Sequence, residues 1–165
     1  MTDTTARLAL PLLAAGQAEK ELFHNEALAR IDIALAAVAE TRGDTSPPAD
    51  PRPGQCWIVG EGASGAWAGQ DRALAGWTGD GWRFVTPTAG MLVWSAAEDV
   101  FARFDGGQWW AGEITAKRVM VDGEQVVGAR QPAIAEPAGG AAIDVEARDA
   151  IRAILATLSA HGLTE

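Results

Sequence analysis

The chain has little of what catalytic and metal centres are commonly built from. Its 165 residues contain one cysteine, Cys56, which excludes an intrachain disulfide and any multi-cysteine zinc site. The two histidines, His24 and His161, lie far apart, and neither has a second histidine at metal-ligand spacing. A zinc site or a His-centred catalytic site is therefore not expected. Positive charge is also scarce: 13 Lys+Arg stand against 22 Asp+Glu, a net charge of −9. That balance argues against a nucleic-acid binder and against a polybasic membrane-surface protein, both of which need a basic face. There is no Gly-rich phosphate loop. GEGASG at 60–65 has the spacing of one, but Ala66 stands where the lysine would be. There is no G-x-S-x-G elbow either, since Ser64 lies between Ala63 and Gly65.

The apolar run at 8–15 (LALPLLAA) is too short to cross a bilayer, which takes roughly 20 residues. As a signal-peptide core it lacks support. Only Arg7 precedes it as a positive charge, Asp3 shares that stretch, Pro11 interrupts it, and polar GQAEKE follows. The expectation is an extended apolar arm that docks on something.

What is present is apolar residue, glycine and tryptophan. Hydrophobic residues make up 48% and charged residues 21%, enough for one ordinary domain, or a small domain with helical extensions. Seven Trp, no Tyr and 19 Gly suggest short strands with tight turns rather than a doubly wound enzyme.

Three sections follow one another. In residues 1–45, QAEKELFHNEALARIDIALAAVAE after Gly16 has good helix composition. Leu28, Ile31, Leu35 and Val38 are spaced 3, 4 and 3, as in a coiled-coil seam, with His24 one step further back. The helix is expected to stop near Thr41–Asp44, and its seam either packs on the chain's own β-domain or self-associates. Residues 43–54 (GDTSPPADPRPG) hold four prolines and read as a stiff linker, assigned to 46–54. Residues 55–128 read as a small antiparallel Trp/Gly-rich β-domain. Thr78–Gly81, Asp105–Gly107 and Asp122–Gly123 are its turn signals. Trp57, Trp67 and Trp77 recur every ten residues, which suggests a repeat of short hairpins. Residues 129–165 read as an extended stretch and a helix capped by Asp144 and ended by Gly162, with Ile151, Ile154 and Leu158 on an apolar stripe. The fold class is α+β: an N-terminal helix, the β-domain and a C-terminal helix.

The tryptophans are the one positive chemical signal. Indoles stack on the apolar faces of sugar rings and anchor protein interfaces. Trp77, Trp82, Trp109 and Trp110 are the candidate glycan or partner contacts. Trp109 and Trp110 must point to opposite faces of a regular strand, so one is core and the other exposed. Cys56 reads as a small buried hydrophobe rather than a nucleophile. Paired carboxylates of the glycosidase kind stay open, because Asp and Glu are plentiful, but a β-domain this small leaves little room for a cleft.

The run LPLLAAGQAEKELFHNEALARID, followed by GAWAG, AGWTGDGW and FARFDGGQW, resembles an uncharacterised domain family of virion proteins from tailed phages and alphaproteobacterial gene transfer agents. The matching positions are Leu10-Pro11, Gln17-Ala18-Glu19-Lys20, Asn25-Glu26-Ala27-Leu28, Asp32, Trp67-Ala68-Gly69 and Gly79-Asp80-Gly81-Trp82. The resemblance covers about residues 8–110 and implies a location and a role class but no catalytic residues. The expectation is a non-enzymatic head-spike or tail-fibre component, without cofactor or metal, that assembles in the bacterial cytoplasm and acts in host attachment, with surface polysaccharide as a ligand. Its partners would be capsid or tail proteins, other spike proteins and further copies of itself, a trimer or a pentamer, with no nucleic acid and no membrane insertion. Leu28, Ile31, Leu35, Val38, Ile151, Ile154 and Leu158 would form the oligomer interface. Gln17, Lys20, Asn25 and Glu26 would serve helix packing or polar contacts between subunits. A free carbohydrate-binding module without a virion role is the alternative.

Overall fold

The computed structural model describes residues 3–14, 16, 20–141 and 144–164. Gln17, Ala18 and Glu19 of the N-terminal motif lie outside them. The chain divides into two units, Met1–Glu113 and Ile114–Glu165. The first contains α1 (Lys20–Ala34), β1 (Val38–Asp44), β2 (Cys56–Val59), β3 (Leu74–Trp77), β4 (Trp82–Val85), β5 (Leu92–Ser95), β6 (Val100–Phe104) and β7 (Trp109–Ala111). The second contains β8 (Val119–Val121), β9 (Glu124–Val127) and α2 (Val145–Ala160). The class is α+β, as expected.

The first helix ends earlier than its composition suggests. Leu35 closes the last turn through its N–H on the Ile31 carbonyl, and Ala36 then takes a left-handed conformation with φ of 48°. The Arg7 guanidinium donates to the exposed carbonyls of this end, those of Asp32, Ile33, Leu35 and Ala36. A cation there satisfies groups that an extended helix would have bonded internally and matches the helix dipole. Residues 38–44, expected as helix, instead form the central strand, so Val38 belongs to β1. Pairing on both edges outweighs the modest helix propensity of these residues.

The sheet order is β4-β3-β2-β1-β5-β6-β7. The two pairings made by β1 are parallel and the four others antiparallel. The sheet is therefore mixed, where an antiparallel one was expected. This corrects the linker too. Parallel neighbours cannot be joined by a tight turn, so the chain must return along the strand. Residues 45–55 make that return between β1 and β2. They are held by Ser64, whose N–H and hydroxyl both donate to the Thr45 carbonyl, and by the Gly54 N–H on Trp77 O. The Pro-rich stretch is thus a crossover inside the first unit, and the division between units falls at Glu113–Ile114.

Every side chain of β2 is buried, because the two faces of the sheet carry two cores. Cys56 and Ile58 face one with Leu74, Val93, Phe104 and Trp109. On that face Ile33 of α1 lies so close to β3 that a Cβ on Gly76 would sit 2.5 Å from its side chain, and only glycine admits the contact. Trp57 and Val59 face the other core with Trp67 and Ala75. Burial raises the Cys56 thiol to about 11, so at neutral pH it is a protonated hydrophobe.

The apolar arm docks on the chain's own α1. Residues 3–12 fold back on themselves, with Thr5 N–H on Leu10 O and Leu12 N–H on Asp3 O. The buried Asp32 carboxylate accepts from the Thr5 hydroxyl (2.8 Å) and from the N–H groups of Arg7 (3.0 Å) and Leu8 (2.6 Å). Asn25 bonds Leu13 at both ends of its amide, accepting from its N–H and donating to its carbonyl.

In the second unit the expected Asp122–Gly123 turn joins β8 and β9, with Asp122 at φ 49° and Gly123 at 83°. Asp144 caps α2 by accepting from the Ala147 N–H. Gly162, at φ 69°, follows the helix end. Thr164 is the one buried residue among those described in this unit.

Candidate functional site

The turn Thr78–Gly81 closes the β3–β4 hairpin. The Thr78 N–H and hydroxyl both donate to Gly81 O, and Trp77 and Trp82 stand opposite each other across the strands. Between this turn, the arm and α1 lies a groove of about 810 Å³. Leu12 and Leu22 give it apolar surface; Asp3, Gln55, Asp80 and Arg83 give it polar groups, and Trp77 of β3 also borders it. Asn25 and Asp32 also line it, but their side chains are spent on the arm. Glu26 accepts from Arg83 Nε (2.6 Å) and Arg30 Nε (2.8 Å). Burial pushes its carboxyl up, and the bonds from Arg83 and Arg30 more than offset this, leaving it below the usual carboxylate range. The motif residues Asn25, Glu26 and Asp32 thus serve contacts within one chain, where subunit contacts were one expectation. The Trp77 ring packs with Trp82 in the tryptophan cluster, on the face opposite Arg83 and α1, so what the groove offers a ligand is the apolar Leu12 and Leu22 beside charged and amide groups, a mixture that suits a polyhydroxylated ring.

The four candidate tryptophans do not form one surface. Trp77 and Trp82 are half-buried, with ring centres 5.1 Å apart. Trp82 also meets Trp57 and Trp67 edge-on, at 5.3 and 5.2 Å, so it is chiefly a packing residue. Trp67 sits in a short 3-10 turn, Gly65–Trp67, in the β2–β3 connection. The ten-residue spacing of Trp57, Trp67 and Trp77 therefore brings three non-equivalent indoles into one cluster and is not a hairpin repeat. Trp109 is buried against Phe104 and donates its indole N–H to Arg72 O at 2.8 Å, which leaves no face for a ligand. Trp110, on the opposite face, is 38% exposed. The strand alternation separates the pair as expected.

Trp110 belongs to a surface that sequence reasoning missed. Leu92, Arg103 and Trp110 stand in one cross-strand row, and Val38, Trp94 and Phe101 in the next. Strand alternation puts both rows on one face. Leu92 is 54% and Phe101 56% exposed, and the Trp94 and Phe101 rings meet edge-on at 4.9 Å. Asp105 fixes one end of this platform, accepting from the Trp110 indole at 2.6 Å. The N–H groups of Gln108 and Gly107, with that indole, hold its carboxyl down at about 2. The alternation of Leu92 with Trp94, and of Phe101 with Arg103, was the available signal.

The remaining candidates are open surface in the single chain. Ile31, Leu35, Val38, Ile151 and Ile154 are exposed, and Leu28 and Leu158 half-buried. The α1 seam therefore does not pack on the sheet, which was one of its two expected fates. Ile33 and Asp32 face inward instead. Among the described residues no His, Cys, Asp or Glu cluster could hold a metal ion, and no helix is long and apolar enough to cross a membrane.

A family model described as a protein of unknown function, DUF2793, matches residues 24–110, more than half of the chain. The chain belongs to the DUF2793 family. Comparison with curated proteins gives no match. The DUF2793 segment starts in α1 and ends within β7, so it holds the seven-stranded sheet up to Trp110, the tryptophan cluster, and the Asn25 and Asp32 that hold the arm, though not the arm itself. The second unit lies beyond it.

Proposed function

We propose that this DUF2793 protein is a non-enzymatic structural component of a virion or phage-like particle, of the head-spike or tail-fibre kind, that acts in attachment to the host surface. The observation that carries the attachment role is the groove between the arm, α1 and the β3–β4 turn, where Asp3, Gln55, Asp80 and Arg83 lie beside Leu12 and Leu22, polar and apolar groups of the kind that hold a sugar. Surface polysaccharide is its ligand. The platform of Leu92, Trp94, Phe101 and Trp110 offers a second contact, for another particle protein. The resemblance of the N-terminal motif and Gly/Trp block to virion proteins supports the location. Open apolar residues on α1 and α2 support assembly as a homo-oligomer.

The test begins with particles sedimented from the producing bacterium, with the fractions assayed for this chain by mass spectrometry. Co-sedimentation with DNA-filled particles at a fixed copy number is expected; a protein confined to the soluble fraction would sink the particle assignment. Binding to host polysaccharide is then measured for wild type and Asp80→Ala, with loss expected in the variant. Full binding by a folded Asp80→Ala variant would remove the groove from the proposal. The groove by itself equally favours a free carbohydrate-binding module, which predicts a monomer that binds sugar and never joins particles.

A further inference from the structure

The N-terminal arm is one wall of the groove: Asp3, Thr4, Thr5, Ala6 and Leu12 line it. The other walls belong to α1, the crossover at 53–55 and the β3–β4 turn. The arm is apolar in composition, but apolar burial does not anchor it. Among residues 3–14 only Thr5 is buried; Leu8 is exposed, and Leu10, Leu12 and Leu13 are half-buried. Polar bonds hold it instead. The Asp32 carboxylate, on a residue only 4% exposed, spends both oxygens on Thr5, Arg7 and Leu8. Asn25 pins Leu13, and Arg7 closes the end of α1. On the crossover side the arm rests on Gly54, where a Cβ would sit 3.1 Å from Arg7 Cγ. A segment with few buried apolar contacts, fixed by a handful of side chains, opens at lower cost than a sheet covered on its faces.

We infer that the arm is a ligand-coupled strap: the groove exists only while the arm is docked, Asp32 is the positioning residue that docks it, and a saccharide in the groove holds it shut. The inference rests on the groove being the saccharide site and adds how that site is regulated. A ligand that reaches from Asp3 and Leu12 on the arm to Gln55 and Asp80 on the far side binds docked chains and not released ones. Docking and binding are then linked. Each favours the other by the same factor, and affinity falls with the docked fraction. Asp32 acts here through the arm and not on the ligand, because its Oδ1 accepts from Thr5 and Leu8 and its Oδ2 from Arg7. Asparagine in its place keeps the volume but turns an amide NH2 against one of these donors. The lock also marks a place where release can be read. In the docked arm the Leu8 N–H is bonded to Asp32, and the Arg7 guanidinium is bonded to the carbonyls of Asp32, Ile33, Leu35 and Ala36. The Arg7–Leu8 peptide bond is thus closed to trypsin until the arm lets go.

The test uses the full chain, trypsin, and polysaccharide extracted from host cells, with cleavage sites and rates followed by mass spectrometry. Cleavage at Arg7 is expected to outpace cleavage at Arg83 of β4 at least about 10-fold. Polysaccharide at a hundred times its Kd is expected to slow cleavage at Arg7 about 100-fold and to leave cleavage at the exposed Arg118 of the second unit unchanged. Asp32→Asn is expected to speed ligand-free cleavage at Arg7 at least about 10-fold and to weaken polysaccharide binding as the docked fraction falls. Its near-ultraviolet circular dichroism, which reads tryptophans lying between residues 57 and 110, is expected to match wild type. Thr5→Val, which removes only the hydroxyl, should do the same in smaller measure. Asp80→Ala is expected to lose binding and protection together, with ligand-free cleavage at Arg7 unchanged. Cleavage at Arg7 no faster than at Arg83 overturns the inference, because the arm then leaves only when the sheet unfolds. So does polysaccharide that binds without protecting Arg7, or an Asp32→Asn variant that binds as wild type does. Weaker binding by Asp32→Asn with Arg7 as protected as in wild type also overturns it, since Asp32 would then touch the ligand itself. A wild type that binds no polysaccharide removes the groove reading and this inference together. Binding that Asp80→Ala abolishes, without protection of Arg7 in wild type, removes this inference alone.

Discussion

On one side of β1 the meander β2-β3-β4 is covered on both faces, whereas on the other side β5-β6-β7 has one face open. Their plans are similar. Each begins with a strand parallel to β1, continues antiparallel, and makes its last turn over four residues, 78–81 in one and 105–108 in the other. They differ in the first connection. Between β2 and β3 it runs over 60–73 and carries Trp67, fully buried against Trp57 and Trp82. Asp71 shapes this loop by accepting from the N–H groups of Gly62 and Ala63. Between β5 and β6 it spans only 96–99, too short to reach back over the sheet. Leu92, Trp94, Phe101 and Trp110 stay open as a result. The difference teaches that loop length, not strand composition, decides which aromatic face becomes core and which remains a contact surface.

The largest expected effect is on the covered side. Trp67→Ala removes the centre of the cluster and should cost about 3–5 kcal/mol, read from urea unfolding, while Phe101→Ala should cost less than about 1 kcal/mol. Equal costs would break the comparison. Gly76→Ala places a methyl against Ile33 and should cost about 1–3 kcal/mol. In a double-mutant cycle, Ile33→Val should recover part of that loss, and strict additivity would mean that the close approach of α1 is not the cause.

On the open side, Leu92→Thr with Phe101→Ser should leave stability within about 1 kcal/mol of wild type. The same pair should weaken capture of a particle protein by surface plasmon resonance. A large loss of stability would show that the platform is core after all. The smallest effect is electrostatic. The Asp105 carboxyl, held at about 2, lies below an unfolded aspartate at about 4. Its contribution to stability is therefore complete above about pH 4 and is lost as pH falls through about 2. A carbon NMR titration should show that midpoint, and Trp110→Phe should raise it by removing the indole donor. A wild-type midpoint near 4 would mean that the turn does not hold the carboxylate.

Much of the fold was legible where a few neighbouring residues settle the matter. Asp-Gly pairs set the hairpin turns, Asp144 set the start of α2, and alternation sent Trp109 and Trp110 to opposite faces. The candidate site was less legible. Trp77 was named, but the groove it borders depends on an arm and a helix brought together by Asp32 and Asn25 across more than ten residues of sequence. Trp109 was named and is buried, because what covers it comes from the Arg72 loop. Phe101 and Trp94 were passed over, because exposure depends on a connection that is absent rather than on anything in their own strands.

By itself, then, the sequence determined the α+β class, the turns, the helix caps and the unreactive setting of Cys56. These follow from local conformational preference and from apolar runs too dense to stay in water. Only the tertiary structure decided that the helix breaks at Ala36, that 38–44 becomes the central strand of a mixed sheet, and that the Pro-rich stretch is a crossover. Residues 38–44 have no strong preference of their own. They take the strand form because two partners, one from 56–59 and one from 94–95, bond them on both edges, and that gain exists only once distant parts of the chain have met.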